Sequence, residues 1–148
     1  PVAGMIIELI KILANLVITG TDTAGIGELA NFLIGCSIVV PAAMVYHRNK
    51  TFKNAIIGLI TGTACLVVLG GLMNAFVLLP VYAYFFNIPV DTLIDMGTKV
   101  NKSITDMSTF IFYAVVPFNL LKGVSVSLIT LLVYKRISRV IKSIAGIK

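Results

Sequence analysis

Residues 54–86 contain no Asp, Glu, Lys or Arg, and this run constrains the fold more than any other feature. A membrane core is crossed by a helix of about 20 apolar residues, so the run is too long for one span. Pro80 is its natural stop, and the sequence predicts a span over residues 54–79. VYAYFF, residues 81–86, would then lie at the membrane–water interface as an aromatic belt. Three more apolar segments cover residues 2–18, 29–46 and 107–134. Together they predict an all-α integral membrane protein: four transmembrane helices in one bundle, a single domain over residues 1–148. The chain is 58% hydrophobic and 12% charged, against about half and a quarter in soluble domains. Nothing of catalytic-domain size lies outside the apolar segments.

The charges orient the bundle. Net charge is +6, and the basic residues cluster at segment ends. HRNKTFK (47–53) carries Arg48, Lys50 and Lys53 without an acid. The tail after Tyr134 carries Lys135, Arg136, Arg139, Lys142 and Lys148. Basic loops remain cytoplasmic, which predicts a multi-pass protein with a cytoplasmic C-terminus. Residues 19–32, with Asp22 and Glu28, and the charge-balanced residues 87–106 would face outward. Within the latter, Val90, Leu93, Ile94, Met96 and Val100 suggest a short amphipathic helix capping the bundle. Pro41 should kink or break the second segment. Gly58 and Gly62 form a GxxxG, which lets helices approach closely; generic packing explains it better than a dimer site.

Several function classes fall away. Clustering at segment ends makes nucleic acid a poor partner for the positive charge. Cys36 and Cys65 sit inside apolar segments, with neither a disulfide framework nor metal-ligand spacing. His47 reads as an interfacial polar residue. There is no GxxxxGK[ST], no HExxH, and no Ser–His–Asp or Cys–His set, so neither catalysis nor direct use of ATP is expected, and no cofactor or metal.

What remains is a group of polar residues where lipid would not tolerate them. Lys122 lies inside residues 107–134, where an ammonium at mid-membrane costs about 2.5–3.5 kcal/mol on insertion scales. Asn119 shares its helix face. Asn74 stands in the outer half of the 54–86 run, and Glu28 and Asn31 stand at the mouth of the second segment. On the predicted topology Asn74, Asn119 and Glu28 point to the outward side, with Lys122 a turn below, so together they can line one pocket. Amides donate and accept at once and lysine offers donors, a set suited to a neutral, flat ring bearing amide and carbonyl groups. Phe76, Tyr82, Tyr84, Phe112, Tyr113 and Phe118 could supply apolar walls. A second reading stays open at this point: Lys122 pairs with Glu8 or Glu28 and only ties helices together. Glu8 can equally pair with Lys11 on its own helix.

GMIIELIK (4–11), TGTDTAGIGELANFL (19–33), NAFVLLPVY (74–82) and PFNLLKG (117–123), in this order, resemble the riboflavin-specific substrate-binding (S) component of energy-coupling factor (ECF) transporters. The resemblance spans about residues 1–142, and PFNLLKG with the upstream N-x4-LPxY is its most specific part. It implies a six-helix membrane bundle in the bacterial cell membrane that captures riboflavin from outside. It also implies a transmembrane coupling subunit and two cytoplasmic ATPases as partners. Asn119, Lys122 and Asn74 match the family's ligand-facing residues; Glu28 and Asn31 fall in a matching motif, and Glu8 and Lys11 are expected to be structural. The match begins at the family's third helix. Pro1 is not an initiator methionine, so four helices of an original six are expected here. The loop that helps cover the vitamin and the small-residue motif that docks on the coupling subunit would lie outside. An S component for another vitamin or precursor, and a non-transporting membrane scaffold, are the rival functions.

Overall fold

The computed structural model describes residues 1–21 and 23–144, with side chains described except at 135 and 137–144. Asp22 and the basic side chains of Lys135, Arg139, Lys142 and Lys148, which contributed to the orientation argument, lie outside the described residues. The described elements are α1 (Val2–Thr19), α2 (Ile26–Arg48), α3 (Phe52–Met73), α4 (Leu79–Phe86), α5 (Val90–Val100), α6 (Met107–Phe110) and α7 (Val116–Ile144). Two π-helical turns, Asn74–Leu78 and Ile111–Val115, join α3 to α4 and α6 to α7. Four helical columns are long and apolar enough to cross a membrane: Val2–Thr19, Ile26–Arg48, Phe52–Phe86 and Met107–Tyr134.

The helix does not stop at Pro80, as the sequence suggested. Proline lacks the N–H that would bond back one turn, and its ring crowds the carbonyl there. The chain adapts by widening the preceding turn: Leu79 N–H reaches the carbonyl of Asn74, five residues back. The same device precedes Pro117, where Val116 N–H bonds the carbonyl of Ile111. Such π-turns let a helix pass a proline at the cost of one extra residue in the turn. The column ends instead at Asn87, whose backbone is left-handed at φ 51°. Ile88 N–H bonds the Ala83 carbonyl at 3.1 Å and Asn87 N–H bonds Tyr84 at 3.4 Å, the paired bonds of a Schellman stop. Pro41 lies within α2 without breaking it.

Small residues set the packing. α2 lies along α3, α3 along α7, and α1 leans chiefly on α2. A Cβ at Gly58 would stand 2.6 Å from the carbonyl oxygen of Ala42, and one at Gly62 would collide with that of Ile38. The GxxxG is therefore the α2–α3 seam inside this chain, two backbones in direct contact. Ala30, Ile34, Ile38, Leu66 and Leu78 form the buried core. By contrast, α1 buries none of its residues, and most of its leucines and isoleucines are exposed.

The predicted cap between residues 87 and 106 is α5. Ile94 is buried, but Met96 and Val100 are exposed. Positions 90, 94 and 97 make the inward stripe at helical spacing, and 96 and 100 fall on the other side. Gly97 receives the ring of Phe110, which docks α5 over the start of the fourth column. Asp106 caps that start, accepting from Thr109 N–H at 2.8 Å while Thr109 Oγ1 accepts from Asp106 N–H at 2.9 Å.

Candidate functional site

The two π-turns face each other across the bundle, and a cavity of about 450 Å³ opens beside them. Asn31 and Ile34 come from α2; Asn74, Leu78, Leu79 and Tyr82 come from the first π-turn and α4. Phe110, Ala114, Val115, Phe118, Asn119 and Lys122 complete the wall from the fourth column. Its size falls in the range of about 300–1,000 Å³ usual for small-molecule sites.

Four of the five polar residues singled out in the sequence converge here: Asn31, Asn74, Asn119 and Lys122. Asn119 is only 4% exposed. Its Nδ2 donates to the carbonyl of Val115 at 3.0 Å, and Asn74 Nδ2 donates to that of Gly70 at 2.8 Å. Each amide thus anchors its nitrogen on its own helix, which fixes the side chain and leaves the Oδ1 acceptor for another partner. Lys122 has no carboxylate partner: among the described residues the one ion pair joins Glu8 to Lys11. Pairing of Lys122 with Glu8 or Glu28 is therefore not what holds these helices.

Glu28 does not line the cavity. Its carboxylate accepts from Thr21 Oγ1 at 2.9 Å, and Thr21 Oγ1 in turn accepts from Gly25 N–H at 2.9 Å. It is thereby tied to the turn leading into α2, one helical turn ahead of Asn31. The aromatic walls also differ from expectation. Tyr82 and Phe118 are in place, but Phe76 and Phe112 line a separate cleft with Ile111. Tyr84 and Tyr113 are 78% and 47% exposed. Phe110 takes a wall position instead. Counting back from Asn119 in α-helical steps passes Val115 and reaches Ile111. The π-turn adds a residue, so Phe110 arrives on that face and Ile111 turns away. The only mark in the sequence is Pro117, which disturbs the turn before it without showing how that turn adapts.

Residues 1–134 match the family model described as ECF transporter, substrate-specific component. The chain belongs to that family.

This S component is 33% identical over 144 residues to "Riboflavin transporter RibU" of Staphylococcus aureus, a match covering 97% of the chain and 69% of the relative. It is 29% identical over 136 residues to "Riboflavin transporter FmnP" of Bacillus subtilis, covering 90% of the chain and 65% of the relative. It is 31% identical over 127 residues to "Riboflavin transporter RibU" of Streptococcus thermophilus, covering 86% and 54%. The chain thus spans between about half and two-thirds of the length of these relatives. No solved structure matches it. Membership of a transporter family and four membrane-length helices make it a multi-pass membrane protein. The family is one of substrate capture for transport.

Proposed function

We propose that this S component binds riboflavin non-covalently in the cavity between the π-turns and serves its uptake into a bacterial cell. The observation that carries the reading is the convergence of three amides and an unpaired ammonium on one aromatic-walled cavity. Asn31, Asn74, Asn119 and Lys122 are the proposed contacts. The isoalloxazine ring is flat and apolar on its faces, where Tyr82, Phe110 and Phe118 can pack. Its pyrimidine edge carries carbonyl oxygens and an imide N–H, which match lysine donors and amide acceptors. Glu28 is one turn before Asn31 on the same face of α2. The names of the relatives support riboflavin over another vitamin.

The cavity lies toward the α4–α5 end, opposite the basic α2–α3 loop of Arg48, Lys50 and Lys53. By the positive-inside rule this loop is cytoplasmic, so we place the cavity mouth outside and the C-terminus inside the cell membrane. No step alters the vitamin. Energy would come from ATP hydrolysis by two cytoplasmic ATPases acting through a transmembrane coupling subunit. The test is a riboflavin titration of the detergent-solubilised protein, on this chain and on one extended by N-terminal helices, read by quenching of flavin fluorescence. Saturable quenching is expected. Quenching confined to the extended chain would mean that further helices complete the site. No quenching in either would overturn the riboflavin assignment, and screening other vitamins would then separate a different ligand from a scaffold.

A further inference from the structure

We infer that Gly70 is a positioning residue for the binding site, setting the amides of Asn74 and Asn119 together. The inference rests on the reading that these two amides contact the vitamin. Gly70 is buried on α3, one turn ahead of the first π-turn. Its carbonyl accepts twice from Asn74: from the side-chain Nδ2 at 2.8 Å and from the backbone N–H. Its missing side chain serves the other asparagine. A Cβ at position 70 would stand 2.9 Å from both Cγ and Nδ2 of Asn119 and 3.0 Å from Oδ1. The Asn119 amide therefore lies flat on the backbone of α3, its Nδ2 held from the far side by the carbonyl of Val115. A methyl group at 70 would push that amide away. Turning it aside would break the bond to Val115, and the residue has almost no open space to move into. One glycine thus joins an amide of the third column to an amide of the fourth, through its carbonyl and through the space above its Cα.

Its neighbour provides a matched comparison. A Cβ at Gly71 would meet only Ile111 Cγ2, at 3.6 Å, an ordinary contact. Gly→Ala raises helix propensity at either position alike, so any difference between the two variants reports the contact with Asn119.

The experiment is a double-mutant cycle in riboflavin affinity, read by flavin quenching, with the folded state followed by thermal melting in detergent. Gly70→Ala is expected to weaken binding roughly tenfold, the scale of one lost hydrogen bond, and Gly71→Ala to leave it unchanged. On an Asn119→Ala background, Gly70→Ala should weaken binding no further, because the amide it displaces is gone. Full additivity of the two losses, or parental affinity in Gly70→Ala, would overturn the inference and leave the riboflavin reading standing. Absence of binding by the parent protein would overturn both. If Gly70→Ala does not fold, recovery of a folded protein on adding Asn119→Ala supports the contact, and failure to recover rejects it.

Discussion

Replacing Lys122 by methionine separates a ligand contact from a helix tie, because the two roles move affinity and stability in different directions. Methionine keeps the apolar stem and roughly the length of lysine and removes the charge. In the ligand-free protein the ammonium has no acidic partner among the described residues, since Glu8 is paired with Lys11 and Glu28 with Thr21. Removing it therefore breaks no ion pair. The side chain is exposed at the cavity wall, so its removal costs the ligand-free fold little. The ligand-free melting temperature should hold. With riboflavin bound, the same change removes a charge-assisted hydrogen bond, about 1.5–3 kcal/mol. At about 1.4 kcal/mol per factor of ten, the dissociation constant should rise roughly ten- to 150-fold. Flavin quenching gives the affinity and thermal melting in detergent gives the stability, each with and without riboflavin. Unchanged affinity together with a lowered melting temperature would refute the reasoning and restore the helix-tie role.

Two further substitutions probe the frame around the site. Gly58→Ala places a methyl group against the Ala42 carbonyl at 2.6 Å, and overpacking of this kind costs about 1–3 kcal/mol; thermal melting should show the loss, and an unchanged melt would mean the α2–α3 seam is not close-packed. Asp106→Asn weakens the cap of the fourth column, and hydrogen exchange at the Thr109 amide should speed up. The Thr109 backbone and hydroxyl bonds, with a smaller one from the Ser108 backbone, hold the Asp106 carboxyl below the ordinary aspartate range. A depressed carboxyl stabilises the folded cap fully above the unfolded aspartate pKa of about 3.9, and loses that contribution as pH falls through its own lower value. The protection factor at Thr109, the exchange rate corrected for its intrinsic pH dependence, should therefore be steady near neutrality and fall only in acid in the parent, with that acid-dependent step absent from the Asn variant.

The legible part of this protein is the part decided by solvent. Lipid compels long apolar runs, and four such runs mark the four membrane-length helices. The same physics marked Asn74, Asn119 and Lys122, because a polar group in such a run is costly and so invites a reason for being there. What escaped was register. Pro80 looked like a stop because proline removes a helical hydrogen bond and crowds the preceding turn, and periodicity has no way to signal that one widened turn lets the helix through. The extra residue in each of the two π-turns also decides which aromatics face the cavity: Phe110 lines it, and Phe76 and Phe112 line a separate cleft. Glu28 lies apart from the cavity lining for a different reason. Its proximity to Asn31 was visible, but a hydroxyl in the preceding turn competes for its carboxylate, and short-range competition of this kind depends on loop geometry. Gly70 shows the limit most clearly. In the sequence it is one small residue among several that permit close packing, interchangeable with Gly71. Only the placement of Asn119 against it, from a column about 50 positions later, separates a glycine that makes room for an amide from one that makes room for nothing in particular.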